Sequence, residues 1–387
     1  MVVRAISAEE HLAFLHALTN ATSPVRSVSF LQTPAWGQVK SEWRAESIGW
    51  FDGSEILGAG LVLYRQLPKV KRYLAYLPEG PVLDWAALDS ASDDLAAWLD
   101  PMVAHLKRAG AFGIRMGPPV VTTRWSAEVI KAGLADESVH ALRQLVPSVR
   151  EPDGARVVSR LRATGWQELG SDGGFAAGQP RYNFQLPLLH PDGSPRTEDE
   201  VLRGMNQLWR RNIKRAAKLG VQVSVGDPER NLAAFHDLYV HTAERDHFTP
   251  RPLTYFQKMF EVLGAEDPER IRLYLAHHEG DLVAATIRVK VGGHVWYSYG
   301  ASSSDKRDVR GSNAIQWQMI SDAIAEKAAV YDMRGITDTL DATDPHVGLI
   351  QFKVGTGGEV VEYAGEWDLP LNRLIYKAFS LYLARRG

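Results

Sequence analysis

The segment IRLYLAHHEGDLVAATIRVKVGGHVWYSYG, residues 271–300, gives the clearest indication of the fold class. It contains three short apolar segments, which are typical of neighbouring β-strands. These segments are residues 271–277, 282–291 and 294–300. A helical pattern follows at 313–328 and a further strand at 330–334, while two helices are indicated upstream, at about 231–245 and 252–263. The alternation predicts a mixed α/β fold for the second half of the chain.

The first half of the chain repeats this order of elements. Buried strands are predicted at 58–64 (GAGLVLY), 73–76, 82–83 and 111–116 (AFGIRM). A helix is predicted at 93–108, interrupted at Pro101, because proline lacks the N–H that a helix interior needs. The halves share this order but little sequence, so we expect a duplicated fold; no shorter, solenoid-like repeat is visible.

The composition is that of an ordered, globular chain. It has 387 residues, of which 45% are hydrophobic, and it exceeds the size at which a single core stops growing, so two domains are expected. No apolar window of about 18 residues occurs, and the N-terminus lacks the pattern of a signal peptide. We therefore expect a cytoplasmic protein without a membrane anchor.

Several classes of chemistry lack support in the sequence. There is no cysteine, which excludes disulfides and thiolate nucleophiles. The 12 histidines show no metal-ligand spacing, and HExxH, GxSxG and GxxxxGK[ST] do not occur. We expect neither a metal nor a cofactor. Because the formal net charge is −2, a polyanionic partner would need a local basic patch.

Residues 197–223 (TEDEVLRGMNQLWRRNIKRAAKLGVQV) predict such a patch. Thr197 and Glu200 form a capping-box pattern and Gly220 closes the segment, which predicts one continuous helix. From Val201 onward it carries basic but no acidic residues, namely Arg203, Arg210, Arg211, Lys214, Arg215 and Lys218. Like charges at helical spacing repel each other, so a solvated surface helix and a face that binds RNA both remain open.

Further candidate residues give only weak evidence of a binding role when each is taken alone. Lys40 ends SFLQTPAWGQVK (29–40), an aromatic-walled start of a helix, where it could bind phosphate or lie on the surface. One arginine and three tyrosines have side chains suited to phosphate or amphipathic contacts, although surface and core roles are the default. These are Arg251, Tyr255, Tyr297 and Tyr299.

Two glycine-containing segments could also approach a ligand. Lys353 lies in HVGLIQFKVGTGGEV (346–360), where a glycine cluster indicates a sharp turn or a close backbone contact. RGSNAIQWQMI (310–320) has the strand, glycine and helix arrangement with which acetyltransferases hold coenzyme A, but its glycine pattern is incomplete.

Taken in order, a set of segments resembles the FemABX family of peptidoglycan bridge-forming aminoacyltransferases and spans nearly the whole chain. The set is SFLQTPAWGQVK, YLAYLPEGPVLD, NQLWRRNIKRAAKLGVQV, RPLTYFQKM, DLVAATIRVK, WYSYGAS, AIQWQMISDAI, YDMRGI and GLIQFKVGTGGEVVEYAGEWDLPL. The resemblance implies two GNAT-like acyltransferase domains without a long coiled-coil arm. Their expected bounds are 1–155 plus 365–387 for the first domain and 156–364 for the second.

The resemblance also implies a reaction and its site. An amino acid, with glycine as the first choice, would pass from aminoacyl-tRNA to the third stem residue of a peptidoglycan precursor. The precursor would be lipid II or UDP-MurNAc-pentapeptide, met at the inner face of the plasma membrane. By match of motif, Lys40 and Arg251 would hold its phosphates, Tyr255 and either Tyr297 or Tyr299 would line its site, and Lys353 would sit at the reaction centre. Asp84 of GPVLD is a further implied site residue.

Two other functions are compatible with the same residues. The first is a coenzyme A-dependent N-acyltransferase of GNAT-like fold, which the incomplete glycine pattern of 310–320 disfavours. The second is a tRNA-binding protein without catalysis, which would keep the basic segment but would not depend on Lys353.

Overall fold

The computed structural model describes residues 1–20, 28–86, 95–170 and 178–384, whose strands form two sheets. The strands are β1 (Val2–Ala5), β2 (Arg44–Asp52), β3 (Glu55–Leu67), β4 (Val70–Leu77), β5 (Ala111–Met116), β6 (Val121–Ser126), β7 (Val149–Arg150), β8 (Gln167–Glu168), β9 (Tyr182–Pro187), β10 (Gln222–Gly226), β11 (Ile271–His278), β12 (Asp281–Val291), β13 (His294–Ser302), β14 (Val330–Ile336), β15 (Glu359–Tyr363) and β16 (Trp367–Pro370).

Helices cover the sheets and connect their strands. They are α1 (Ala8–Asn20), α2 (Pro34–Val39), α3 (Leu95–Arg108), α4 (Ala127–Ala135), α5 (Pro152–Ala163), α6 (Glu198–Gly204), α7 (Gln207–Lys218), α8 (Pro228–Asp246), α9 (Leu253–Glu266), α10 (Gly311–Ala325), α11 (Val347–Val354) and α12 (Arg373–Ala384). The longest helix of the described residues, α8, has 19 residues. Within the described ranges, no helix has the length and apolar character needed to cross a membrane.

The first six strands of each sheet follow the same topology, which agrees with the predicted duplication, although in the described residues one sheet has seven strands and the other nine. Their strand orders are β1-β2-β3-β4-β5-β16-β8 and β10-β11-β12-β13-β14-β9-β15-β6-β7. In each sheet three antiparallel strands lead through a helix, α3 or α10, to a parallel strand, β5 or β14. An antiparallel strand from elsewhere in the chain, β16 or β9, follows on the far side.

The chain exchanges strands between the sheets. Strands β6 and β7 pair in the second sheet beside β15, whereas β8 and β16 pair in the first. The sheets therefore do not separate at a single boundary near residue 155, and the domain bounds stay a prediction. The C-terminal segment does return to the first sheet, because Phe379 of α12 packs against Phe112 of β5. Residues 385–387 of that segment lie outside the described ranges.

Helix α3 differs from the expected interrupted helix. It runs through Pro101 as one element, and the predicted residues 93–94 lie outside the described ranges. Its apolar face, Leu95, Leu99, Met102 and Leu106, is buried on the first sheet. Burial of four apolar side chains outweighs the loss of one backbone hydrogen bond at the proline.

One hydrophobic core joins the two halves of the molecule. It combines side chains from the first half with side chains of α8, α9 and the second sheet. Among its members are Leu15, Phe30, Trp36, Leu61, Phe235, Phe256 and Leu273. This shared core includes Leu61 of β3 and Trp296 of β13, and Trp296 also lines the candidate site.

Candidate functional site

A cavity lies at the junction of the two sheets. Both halves of the chain line it, and most of its polar groups are carboxylates and a guanidinium. They include Glu79, Gln179, Asn183, Asp332, Arg334 and Glu366. The aromatic side chains of Trp296 and Tyr363 complete its wall.

The second sheet opens where it meets this cavity. Strands β13 and β14 pair in parallel only between His294–Trp296 and Val330–Asp332. Beyond that point β13 has a bulge, since Tyr297 and Tyr299 pair with adjacent residues of β12 and Ser298 has no partner there. The gap between the strands gives the side chains of β14 access to the cavity.

Arg334 of the second half and Glu79 of the first half form an ion pair that links the two halves of the chain. Arg334 Nη1 donates to Glu79 Oε1 at 3.0 Å and Nη2 donates to Gln179 Oε1 at 3.3 Å. Burial opposes its charge, but the carboxylates of Glu79 and Asp332 outweigh burial and raise the pKa of Arg334. Both residues have left-handed backbone conformations, with φ of 63° at Arg334 and 47° at Glu79. Such conformations are unfavourable for these residue types and concentrate at functional sites.

Asp332 is a buried carboxylate with a full set of partners. Its Oδ2 accepts from Gln185 Nε2 at 3.0 Å and lies 3.1 Å from His294 Nε2, while Oδ1 accepts from the Arg334 N–H at 2.6 Å. Burial alone would raise the pKa of Asp332, but the contact with His294 and the charge of Arg334 lower it. The site therefore holds a buried anion behind Arg334.

Lys353 is buried against the end of β14, next to Arg334, and does not itself line the cavity. It projects from α11, is 3% exposed, and its Nζ donates to the carbonyls of Gly335 at 2.8 Å and Arg334 at 3.2 Å. Burial lowers its pKa to about 7, and Asp332 only partly opposes that shift. A buried lysine with a lowered pKa is a candidate for a functional role.

The structure brings four of the predicted binding residues into one cluster, which we call the Lys40 cluster. Lys40 Nζ lies 5.6 Å from the ring centre of Tyr255, and the Arg251 guanidinium lies 5.5 Å from the same ring. The Tyr255 and Tyr299 hydroxyls are 3.2 Å apart. Burial, opposed by Glu42 and aided by Arg251, lowers the pKa of Lys40. Two cations around an aromatic wall suit a phosphorylated ligand.

Two predicted residues lie elsewhere. The bulge at Ser298 turns Tyr297 to the opposite face of the sheet from Tyr299, where it packs against the core of the second half. Asp84 is half-buried beyond the end of β4 and is not part of the cavity lining. Neither joins the Lys40 cluster.

An aromatic path connects the Lys40 cluster to the cavity. Lys40 Nζ lies 5.8 Å from the Trp36 ring, and Trp36 contacts Phe30 edge-on at 5.3 Å. The Arg334 guanidinium lies 5.7 Å from the ring centre of Phe30. Both sites therefore lie along one wall formed by the first half of the chain.

The basic segment folds as two helices, which corrects the expected single helix. Thr197 and Glu200 cap α6 as predicted, but the chain breaks at Met205, and Asn206 Oδ1 accepts from the Trp209 N–H at 2.9 Å to cap α7. Arg203 therefore lies on α6, whereas Arg210, Arg211, Lys214, Arg215 and Lys218 lie on α7. Arg215 contacts Asp308; the other four make no ion pair with a carboxylate among the described residues.

The glycine cluster after Lys353 holds α7 in place. Trp209 Nε1 donates to the Phe352 carbonyl at 2.8 Å, and the Asn206 N–H donates to the Gly355 carbonyl at 2.8 Å. A Cβ at Gly357 would lie 2.3 Å from the Gly204 carbonyl oxygen. The close approach predicted for these glycines is thus made by the basic segment, next to the helix that carries Lys353.

None of the described residues that line the cavity was predicted as a site residue, and the central charged ones are Glu79, Asp332 and Arg334. Glu79 lies in YLAYLPEGPVLD, and Asp332 and Arg334 lie in YDMRGI. The available signal was the presence of charged residues inside otherwise apolar strands, where they need buried partners.

The glycine of the incomplete coenzyme A pattern has a packing role. A Cβ at Gly311 would lie 2.8 Å from the Val283 side chain and 3.3 Å from Ala284. No group of histidines and carboxylates in the described ranges is arranged to hold a metal ion.

Comparison with known proteins identifies the family. The FemAB family profile matches residues 6–279 and 272–383. The lipid II:glycine glycyltransferase of Staphylococcus aureus (strain MRSA252) is 24% identical over 440 residues, covering 96% of this chain and 93% of that protein. The protein of the same name from Staphylococcus epidermidis (strain ATCC 35984) is 23% identical over 434 residues, again covering 96% and 93%.

Solved structures share the fold. The crystal structure of FemX superposes with a TM-score of 0.76 at 22% identity, covering 98% of this chain and 99% of FemX. A tandem GNAT protein from the clavulanic acid biosynthesis pathway reaches a TM-score of 0.52 at 12% identity, covering 95% and 98%. These similarities confirm the predicted GNAT-like fold class. Because the family profile covers almost the entire chain, this protein belongs to the FemAB family, as its motifs predicted.

Proposed function

We propose that this aminoacyltransferase moves an amino acid, with glycine as the first choice, from aminoacyl-tRNA to the peptide stem of a peptidoglycan precursor. The acceptor would be the side-chain amine of the third stem residue. The observation that carries the proposal is the buried Lys353, bonded to the backbone of Arg334, which lines the cavity between the two halves of the chain. The names of the relatives, lipid II:glycine glycyltransferase, support glycine and a lipid-linked precursor.

The reaction would be aminolysis of an ester. The stem amine attacks the aminoacyl carbonyl carbon, a C–N bond forms and the ester C–O bond breaks. The proton lost by the amine is balanced by the one gained by the ribose oxygen. An ester is already activated, so positioning and stabilisation of the developing oxyanion would supply most of the rate enhancement. Lys353 would donate to that oxyanion.

The Lys40 cluster would bind the diphosphate that lipid II and UDP-MurNAc-pentapeptide share. Lys40 and Arg251 supply two cations, and Tyr255 supplies a wall between them. The aromatic path along Trp36 and Phe30 would then lead the peptide stem toward Arg334 and Lys353.

The exposed cations of α7 would contact the phosphates of the tRNA. Helix α7 is anchored to the segment that carries Lys353 through Trp209 and Asn206. A tRNA held on α7 would therefore have its acceptor end near the cavity. This arrangement predicts an affinity that falls steeply with salt.

The test is a transfer assay with the purified chain. A tRNA pool charged with labelled glycine, alanine or serine is supplied with each precursor form, and label is followed into the stem. We expect transfer of one amino acid that ribonuclease abolishes. Label that moves from acyl-coenzyme A and not from tRNA would overturn the proposal in favour of a coenzyme A-dependent enzyme.

A further inference from the structure

One end of the first sheet carries a basic and apolar surface that the proposed reaction does not use. It consists of the turn between β3 and β4 with its flanks (residues 65–72), the end of α3 (residues 107–108) and the outer face of α12. We propose that this surface, here called the docking surface, seats the protein on an anionic membrane. Membrane binding by this surface does not require the proposed reaction. The link to that reaction is that a protein held at a membrane would use the lipid-linked form of the precursor.

The sequence keeps acidic residues out of the three segments that form the docking surface. No aspartate or glutamate occurs in residues 56–78, 101–127 or 369–387, although the chain has 46 acidic residues. The cations that these segments bring to the surface are Arg65, Lys69, Lys71, Arg72, Lys107, Arg108, Arg373 and Lys377. None of them makes an ion pair with a carboxylate in the described part of the chain. Their field is therefore not neutralised locally.

The fold brings the three segments to the same end of the sheet. Strand β3 ends there and β4 and β5 begin there, since Leu67 pairs with Val70 and Tyr73 with Ala111. The Tyr73 N–H donates to the Gly110 carbonyl at 3.3 Å, which places the end of α3 beside the turn.

Helix α12 crosses the same end of the sheet. The Leu371 and Asn372 N–H groups donate to the Phe112 carbonyl, so the helix starts at the beginning of β5. Farther along, the Arg65 guanidinium lies 5.6 Å from the ring centre of Phe379, and Leu67 packs in the same small core. The helix thus spans from β5 to β3, and its outer face adjoins the turn.

Aliphatic side chains stand exposed among these cations. Val70 at the turn is 50% exposed, and on α12 Leu374 is 84% and Leu381 is 55% exposed. Leu374, Lys377 and Leu381 follow one another at helical spacing, so they share one face of α12. Isolated exposed leucines are common, but three aliphatic residues within a basic surface form an amphipathic pattern.

This combination favours a membrane over an RNA. Cations attract anionic headgroups, while the aliphatic side chains enter the boundary between headgroups and acyl chains. Binding of single-stranded RNA would use exposed aromatic rings for stacking, whereas the exposed apolar residues here are aliphatic.

The docking surface adjoins the Lys40 cluster. The Trp43 N–H donates to the Lys40 carbonyl at 2.9 Å, and the Arg65 guanidinium lies 5.8 Å from the Trp43 ring. A protein seated through this surface would therefore present Lys40 close to the headgroups. The diphosphate of a lipid-linked precursor is found at that level.

Vesicle sedimentation with the full chain tests the proposal. The vesicles contain phosphatidylcholine alone or with phosphatidylglycerol, and no precursor. We expect binding to the anionic vesicles to be at least about 10-fold tighter. The triple variant Lys69→Glu, Lys71→Glu, Arg72→Glu should weaken it on the order of 100-fold, since each cation near such a surface contributes about fivefold. The replaced residues are exposed, and a thermal unfolding curve like that of the parent protein verifies folding.

Two controls keep the result specific. The variant Arg211→Glu, Lys214→Glu, Lys218→Glu removes the same number of cations from α7 and should leave vesicle binding within about threefold. The variant Leu374→Ser should weaken vesicle binding severalfold without changing charge.

Equal binding to neutral and anionic vesicles would overturn the proposal. So would a turn variant that binds vesicles normally but loses tRNA affinity, because the surface would then belong to RNA. Failure of the proposed function has a different readout: the parent protein would bind vesicles yet transfer no amino acid to the precursor, either in its nucleotide-linked form or in its lipid-linked form presented in detergent.

Discussion

Lys353 combines a buried charge with a position beside the cavity. If its Nζ stabilises the oxyanion, Lys353→Met should slow transfer by about 10²–10³-fold, the usual effect of removing one such donor. Binding of the precursor should persist, because the Lys40 cluster is untouched. Single-turnover rates at saturating glycyl-tRNA and equilibrium binding of the precursor measure the two effects. A rate within about threefold of the parent protein would show that Lys353 has a structural role only.

The same lysine makes stability depend on pH. Its pKa falls from the ordinary 10.5 to about 7 in the folded chain. Between these values the folded state binds fewer protons than the unfolded state, so Lys353 adds stability as pH rises. The unfolding free energy of the parent protein minus that of Lys353→Met should be flat below about pH 6 and should increase from about pH 7 to 10. Urea titrations at several pH values measure it, and a pH-independent difference would contradict the shift.

The pair of Arg334 and Glu79 should couple strongly. Their side chains are 22% and 19% exposed, so removing one partner leaves a poorly solvated charge. A double-mutant cycle with Glu79→Gln and Arg334→Met should give a coupling free energy of about 2 kcal/mol by urea unfolding. The surface pair Lys258 and Glu261, 39% and 68% exposed, is the matched control and should stay below about 0.5 kcal/mol. Equal couplings for the two pairs would refute this role of the interface.

Four of the residues that the motifs singled out lie together in the structure, while their roles in binding stay a prediction. Lys40, Arg251, Tyr255 and Tyr299 come together as the motifs implied. The choice between Tyr297 and Tyr299 depended on a β-bulge at Ser298, which places the two side chains on opposite faces of the sheet. The pattern of apolar residues does not indicate this bulge. Glu79 and Arg334 were missed because charged residues are mostly exposed, and only the fold shows that these two pair across 255 residues of sequence.

Among the elements, α7 should account for binding of the RNA donor. The variant Arg211→Glu, Lys214→Glu, Lys218→Glu should lower tRNA affinity and reduce the slope of log affinity against log salt by about 2–3, one unit or less per phosphate contact. The turn variant at Lys69, Lys71 and Arg72 is the control for net charge. Filter binding across a salt series measures both, and identical slopes for all three proteins would show that α7 is a solvated surface.

The packing of α7 and the adjoining Gly204 against the rest of the protein depends on Gly357. This residue has φ of 82°, and an added Cβ would lie 2.3 Å from the Gly204 carbonyl oxygen. Gly357→Ala should therefore destabilise the fold by about 2 kcal/mol and weaken tRNA binding as α7 shifts. Gly348→Ala, in the same region with no atom within 4 Å of the new Cβ, should be neutral or stabilising. Thermal unfolding compares the two variants; equal losses would disprove the packing role of Gly357.

Element boundaries show what local pattern could not predict. Helices and strands with a strong period, such as α8 and β12, lie where the sequence indicated. The break at Met205 escaped notice because both flanks of the basic segment have good helical propensity. It is Trp209, held against Phe352, that fixes the separate direction of α7. Tertiary packing also overrode the proline signal in α3.

For the whole molecule, the order of elements sufficed to predict a duplicated α/β fold. It did not reveal that β6 and β7 cross into the second sheet, or that β8 lies in the first. Strand partners are chosen over long sequence separations, and two short strands carry little periodicity of their own. The crossing matters for function, because it ties the halves together around the cavity.

The proposed reaction transfers an amino acid from aminoacyl-tRNA to a peptidoglycan precursor. Mass spectrometry of the precursor after incubation with the protein and glycyl-tRNA tests it most directly. We expect a gain of one glycyl residue on the side-chain amine of the third stem residue, at a rate lowered by about 10²–10³-fold with Lys353→Met. An unchanged precursor in both its lipid-linked and nucleotide-linked forms, with protein that still binds tRNA, would contradict it.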